Sequence, residues 1–350
     1  MNVMNPLLLS VVVPVYAVEG YLYQCLESIR AGLTAEESAL VEVIAVDDAS
    51  PDSCGEMLDS YAARHGDLRV VHLSHNVGLG LARNAGLAEA RGDYVWFVDS
   101  DDWLPAGSVR AVLDRIRTEQ PDVVLIDHLR VHENGRMERD ASSGALQDFR
   151  LPSLIKLQHT AWNRIVRRGL LAELDLRFLP GWYEDVPFSN PVLIAARRVS
   201  VLDRVCYHYR IGRLGAITAT RSDRHFEAFD QYDLMLAWVN ARDPEPWLRH
   251  ALFTLMVNHL LVVAGNDGRV HPNRRRAFFR RLVAHYRRHL PADYPGHPGV
   301  KHRLVKAGSY PLYAAARQAY RIAKRDPEPS PSVSPVLASA PQQAQAAPIP

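Results

Sequence analysis

The 350-residue sequence predicts an α/β fold in which a mostly parallel sheet, flanked by helices, leads into a C-terminal helical region. Three observations predict it. Through the first 126 residues, short β-prone runs alternate with stretches whose apolar residues recur at helical spacing. Acidic residues directly follow two of those runs, at the carboxyl ends of strands, where sheets of this class bind ligands. Beyond residue 225 the apolar pattern becomes helical.

The expected strands are Leu8–Val13, Val41–Val46, Arg69–Leu73, Tyr94–Val98 and Val123–Ile126. Between the first two, Leu22, Cys25, Leu26 and Ile29 have the spacing of one helical face. Ser50, Pro51 and Asp52 read as a cap, first-turn proline and first-turn acid of the next helix, with Leu58 and Tyr61 facing inward. Pro105 is expected to begin the helix carrying Val109, Val112, Leu113 and Ile116. His132 to Gly135 reads as a turn between short strands. Phe229, Leu234, Leu236 and Trp238, and then the apolar stretch Ala251–Ala264, read as helices; the latter stretch is expected to be too short to cross a bilayer. From Asp326 the chain turns rich in Pro, Ser, Ala and Gln, the composition of a disordered tail. The expected organisation is therefore residues 1–220 as an α/β unit, 221–325 as a basic helical region and 326–350 as a tail.

With 47% apolar residues the chain can bury a substantial core. Cys25, Cys54 and Cys206 are too widely spaced for a disulfide framework or a paired-cysteine metal site, and read as buried thiols in a reducing compartment. The run Leu7–Val13 lacks a basic leader and meets Pro14, so it reads as a buried strand rather than a signal peptide. The net charge of +2 hides an asymmetry, because residues 269–325 carry 15 Lys and Arg against the single acid Asp293. Such a region suits an anionic membrane or polyanionic acceptor, or is a solvated arginine-rich helix face. Leu248, Leu252, Met256 and Leu260 would form the apolar face of a membrane contact beside those arginines, or pack inside. No nucleic-acid recognition module accompanies the arginines, and nucleic acid is not an expected partner.

The most informative segment is Tyr94-Val-Trp-Phe-Val-Asp99-Ser-Asp101-Asp102, where an apolar strand gives way to clustered carboxylates. Close anions need water, hydrogen bonds or a cation to offset them, and oxygen ligands suit Mg²⁺ or Mn²⁺ bound against phosphate. Solvated acids at a helix start would give the same pattern. Asp47-Asp48 repeats the arrangement after an earlier strand, as a base contact or a turn. Gly78 and Gly80 lack the third glycine of a dinucleotide fingerprint, so an oxidoreductase is poorly supported.

Together, Val11-Val-Val-Pro-Val-Tyr16, Val46-Asp-Asp-Ala-Ser-Pro-Asp52, Asn76-Val-Gly-Leu-Gly-Leu-Ala-Arg-Asn-Ala-Gly86, Val98-Asp-Ser-Asp-Asp102 and Trp182-Tyr-Glu-Asp-Val-Pro-Phe188 resemble the family 2 inverting glycosyltransferases with a GT-A nucleotide-diphospho-sugar transferase fold. The resemblance covers residues 8 to 215. It implies that Pro14 and Tyr16 lie in the first nucleotide-facing loop, that Asp48 pairs with the base, and that Arg83 lines the diphosphate side. It implies that Asp99 contacts ribose or the metal shell, and that Asp101 is the principal metal carboxylate of a DxD motif. Asp185 is the implied catalytic base and Glu184 its neighbour that positions the base or the acceptor. His208, Arg210 and Arg213 resemble a segment closing over the donor phosphates, although Ile211 to Ile217 is less polar than that segment commonly is. Trp162 and Asn163 resemble an acceptor-side border, with Trp162 a sugar platform or a core anchor and Asn163 fixing a turn.

The implied activity is metal-dependent, inverting transfer of a sugar from a nucleotide diphosphate donor, UDP first, to a glycan or lipid-linked acceptor, in surface or cell-wall polysaccharide synthesis. The expected place is cytoplasmic, at or near the inner face of the membrane. A nucleotidyltransferase acting on a sugar phosphate shares the carboxylate-held cation but attacks phosphorus, and a non-catalytic sugar-binding or scaffold protein is the other alternative.

Overall fold

The computed structural model describes residues 7–140, 150–158, 160–213, 215–297 and 299–323. The tail expected from residue 326 lies outside the described residues. Eight strands form one sheet: β1 Leu9–Val15, β2 Val41–Asp47, β3 Leu68–His72, β4 Tyr94–Phe97, β5 Val123–His132, β6 Met137–Asp140, β7 Arg164–Arg167 and β8 Val199–Ile211. Their order is β3-β2-β1-β4-β7-β5-β6, with β8 on β5. The first four strands pair in parallel, as expected. The sheet is nonetheless mixed, because β7 enters between β4 and β5 antiparallel to both. The His132–Gly135 turn joins β5 to β6 as a hairpin.

Strand alternation divides the core in two. Val11, Val13 and Val15 pack with Leu22, Leu26 and Ile29, whereas Val12 packs with Ile44, Val46, Ala82 and Phe97 on the other face. The Leu79–Glu89 helix lies close on that second face because position 86 is glycine; a Cβ there would collide with Val12 Cγ1. Two helix starts fall later than expected. Ser50 bonds back to Val15 O and to Asp47, and the helix begins at Cys54. Pro105 belongs to a turn, and its helix begins at Ser108.

The helices Glu227–Asn240, Pro246–Gly265 and Arg275–His289 gather a separate apolar cluster that includes Phe229, Met256 and Phe278, and it reaches Val186 near the sheet. The second of these helices has 20 residues and is long and apolar enough to cross a membrane, which corrects the shorter estimate. Leu248, Leu252, Met256 and Leu260 are all buried, so that face is a core face rather than a membrane-facing one. The basic region is also less bare than its sequence: Arg274, Arg275, Arg281, Arg288 and Arg317 pair with Asp223, Asp267, Asp230, Asp233 and again Asp267. All three cysteines are buried and free.

Candidate active site

The carboxyl ends of β1, β2 and β4 open onto one rim, and β4 delivers its acids there. Asp99 accepts from Arg83 Nη2 at 2.7 Å, and Glu184 Oε1 accepts from Arg83 Nη1 at 2.6 Å. One guanidinium from the Leu79–Glu89 helix thus joins the strand-end acids to residues 184–185, which precede the Val186–Ala195 helix. Arg83 is only 2% exposed. Burial opposes its charge, but Asp99 and Glu184 outweigh that and hold it firmly protonated. It therefore bridges carboxylates instead of presenting an open face to a diphosphate.

Glycine at 80 makes this approach possible, since a Cβ there would stand 2.8 Å from Glu184 Cγ. Burial pushes the Glu184 carboxyl up, with Arg83 opposing. Asp185 is pushed up to about 8, by burial first and then by Glu184, while Arg83 and Arg164 pull it down. The backbone leading to the pair is strained: Tyr183 has φ 65°, a left-handed conformation rare for a bulky residue. The helical region holds this loop. Tyr183 Oη lies 2.6 Å from His225 Nδ1, Trp182 N donates to Glu227 Oε2 at 2.7 Å, and Gln231 Nε2 donates to Pro180 O at 2.9 Å.

The three acids after β4 differ in their surroundings. Asp102 is buried, accepting from Tyr207 Oη at 2.8 Å and Arg210 N at 2.7 Å, and burial, then Asp101 and Asp99, push its carboxyl well up. It anchors the turn to β8. Asp101 accepts from Arg213 Nε at 2.7 Å, and burial raises its carboxyl while Arg213 lowers it. Arg210 lies over the rings of Trp103 and Tyr21 and donates from Nε to Asp101 O at 2.9 Å. His208 packs edge-on against Trp103, and its buried Nδ1 has no hydrogen-bond partner among the described residues. Burial lowers its affinity for a proton.

A divalent cation fits this donor set. Asp99 and Asp101 supply hard oxygens, Asp99 raises the Asp101 carboxyl, and a guanidinium already sits on Asp101 as a counter-charge.

Other expected residues are placed differently. Pro14 lies inside β1 opposite Val46 and is buried, whereas Tyr16, 46% exposed, lies in the loop beyond. Asp48 is buried and accepts from Val77 N at 2.7 Å, Gly78 N at 2.9 Å and Asn76 Nδ2 at 3.0 Å. Both its oxygens are occupied in anchoring the loop before the Arg83 helix. Trp162 is 4% exposed and stacks on Tyr207 at 4.4 Å, so it is a core anchor and not a sugar platform. Asn163 donates to Gln158 O at 3.1 Å and accepts from Arg164, fixing the local turn as expected.

Sequence reasoning missed Tyr207, whose hydroxyl accepts from Asp99 N and donates to Asp102, and Arg164, a fully buried cation whose charge acts on Asp185. For Tyr207 the only signal was its place in an aromatic strand. Nothing in the sequence marks Arg164 as buried.

The comparisons agree with this architecture. The Glycosyl transferase family 2 model matches residues 10–169. The putative glycosyltransferase EpsH of Bacillus subtilis (strain 168) is 30% identical over 278 residues, covering 76% of this chain and 79% of EpsH. The chain belongs to glycosyl transferase family 2. A second family relative, the uncharacterized glycosyltransferase EpsJ of the same strain, is 31% identical over 218 residues, or 58% of this chain and 61% of EpsJ. Among solved structures, S. aureus TarS 1-349 in complex with UDP-GlcNAc superposes with a TM-score of 0.72 at 22% identity, covering 90% of this chain and 92% of that one. That likeness bears out the GT-A fold with its helical C-terminal part.

Proposed function

We propose that this chain transfers a sugar, with inversion, from a nucleoside diphosphate donor to an acceptor hydroxyl in the assembly of a surface or cell-wall polysaccharide. The observation that carries the reading is the Arg83 bridge, which ties Asp99, the first acid after β4, to Glu184 next to Asp185. A displacement needs both: charge control at the departing diphosphate and a base at the incoming hydroxyl. UDP is the proposed carrier, since TarS was solved with UDP-GlcNAc.

Asp185 accepts the acceptor's proton as the hydroxyl oxygen forms its bond to the anomeric carbon. The bond from that carbon to the phosphate oxygen breaks, and its electron pair leaves with the nucleoside diphosphate. Asp101 and Asp99 would hold Mg²⁺ or Mn²⁺, and such a cation supplies neutralising charge at the diphosphate when bound. Arg213 and Arg210 stand on the same side and stabilise the leaving group, with His208 beside them. Tyr16 faces the nucleotide from the first loop. Asp48 acts on the nucleotide by fixing the 76–78 loop, and Arg83 acts through Asp99 and Glu184 as a positioning residue.

In this reading residues 1–220 carry the chemistry, and the helical region at 221–325 braces the loop before Asp185. The place of action is the cytoplasmic face of the membrane, with a glycan or lipid-linked acceptor. Exposed Leu312, Tyr320 and Ile322 on the Tyr310–Ala323 helix make the contact with anionic lipid that the buried helix cannot.

The test is product analysis with a panel of nucleotide sugars, Mg²⁺ or Mn²⁺, and water or simple glycans as acceptors. Release of nucleoside diphosphate supports the proposal. Pyrophosphate as product would make the chain a nucleotidyltransferase, and no turnover of any donor would leave a binding protein.

A further inference from the structure

The helical region holds a second group of metal-compatible ligands that the transfer chemistry does not use. His285 and His289 lie four residues apart on the Arg275–His289 helix, which puts both imidazoles on one face. Asp233, from the facing Glu227–Asn240 helix, points its carboxylate between them. His289 Nε2 stands 2.6 Å from Asp233 Oδ1, and His285 Nε2 stands 3.3 Å from the same oxygen. The three ligand atoms all lie within 4.8 Å of one another.

Those distances match a shared cation. Ligands at about 2.0–2.1 Å from a tetrahedral zinc ion are separated by roughly 3.3 Å. The His285–Asp233 separation already has that value, and the His289 contact needs to open by well under an ångström. His285 is 7% exposed, and its Nε2 makes no hydrogen bond among the described residues although it faces the carboxylate. A buried polar atom left in that state calls for a partner. Asp233 and His289 are partly exposed, which leaves a path for entry and a place for a water ligand.

The neighbouring cations have places of their own. Arg288 holds the other carboxylate oxygen, Oδ2, at 3.1 Å, and Arg281 is paired with Asp230. Arg288 thus orients Asp233 and leaves Oδ1 to the histidines.

We propose that Asp233, His285 and His289 form a zinc-type site that ties the Glu227–Asn240 helix to the Arg275–His289 helix. Two imidazoles and one carboxylate favour a divalent transition metal over Mg²⁺, whose preferred ligands are all oxygen. The site is separate from the acids after β4 and does not depend on the proposed transfer reaction. Its consequence is structural: the first of these helices also carries Glu227 and Gln231, which hold the loop before Asp185.

The experiment uses the untagged full chain, stripped with a chelator, desalted and titrated with Zn²⁺ alone against a chromogenic zinc indicator. The expected result is one tight equivalent in the wild type, lost in His289→Gln and in Asp233→Asn, and retained in Asp101→Ala. Zinc should raise the wild-type melting temperature and leave that of His289→Gln unchanged, a readout independent of sugar transfer. Absence of the tight equivalent in the wild type, its survival in His289→Gln, or its loss in Asp101→Ala would overturn the assignment.

Discussion

Arg83→Met tests the central bridge. The substitution keeps an unbranched apolar stem in the same space and removes only the guanidinium, so little cavity is created. What it leaves is a buried Glu184 and a partly buried Asp99, each without the partner now 2.6 Å and 2.7 Å away. Breaking a buried ion pair from one side costs about 3–5 kcal/mol, because the stranded charge is what becomes expensive. Against a total stability of about 5–15 kcal/mol, the variant should still fold. The cost should depend on pH. Burial already raises Glu184, and loss of Arg83 raises it further, so the folded variant keeps a proton there that the unfolded chain gives up. Its stability relative to wild type should therefore fall as pH rises from 5 to 8, by at most about 1.4 kcal/mol per pH unit. Urea unfolding at several pH values reads this directly, and Glu184→Gln in the Arg83→Met background should recover about 1 kcal/mol or more at pH 8. A cost below about 1 kcal/mol, or one unchanged between pH 5 and 8, would refute the idea that this guanidinium holds the two acids together.

Asp185→Asn should slow transfer by about 10²–10⁴-fold while donor affinity by calorimetry stays within a few fold; unimpaired transfer would remove Asp185 from the role of base. In the wild type the base must lose its proton to work, so the transfer rate should rise with pH through the region near 8 and level off above it, a limb that Asp185→Asn lacks. The same raised carboxyl favours folding while protonated: that share of stability is present below about pH 4, is lost as pH rises through about 8, and should be absent from the pH dependence of Asp185→Asn. Asp101→Ala should abolish the stimulation of turnover by Mg²⁺ or Mn²⁺, a loss of about 100-fold or more that a metal titration checks. Gly80→Ala should displace Glu184, whose Cγ would meet the new methyl at 2.8 Å, and lower turnover with little change in nucleotide binding.

The parallel half of the sheet is legible because β1, β2 and β4 are mainly apolar runs, and acids stand at the ends of β2 and β4. β7 is not. Its four residues, Arg164 to Arg167, begin and end with arginine, and only the tertiary fold shows that the first of them is buried. Helix starts at Ser50 and Pro105 misled because serine and proline also make turns, and here both serve the turn. The site is legible as a set of residue types, less so as roles. A carboxylate in the sequence does not say whether its oxygens face solvent, as Asp99 partly does, or are consumed by backbone amides, as in Asp48. The spacing of His285 and His289 is visible in the sequence, but the acid that completes the group lies 52 residues upstream of His285 on another helix.

The helical region has its own apolar cluster, yet it is tied into the chemistry by polar contacts. Tyr183 in a left-handed conformation stores about 1–3 kcal/mol, which the loop releases unless its surroundings prevent it. The restraints on either side come from residues beyond 220: Glu227 takes the Trp182 amide, Gln231 takes the Pro180 carbonyl, and His225 meets the Tyr183 hydroxyl. From the sheet side, Arg83 takes Glu184. The direction of Asp185 is thus fixed between a helix that packs on the sheet and a helix that packs on the helical core. A small rotation of one body against the other would pass into this loop, because hydrogen bonds of 2.6–2.9 Å leave little slack. Without the helices that follow the sheet, the loop leading to Asp185 would keep only its contacts from the sheet side.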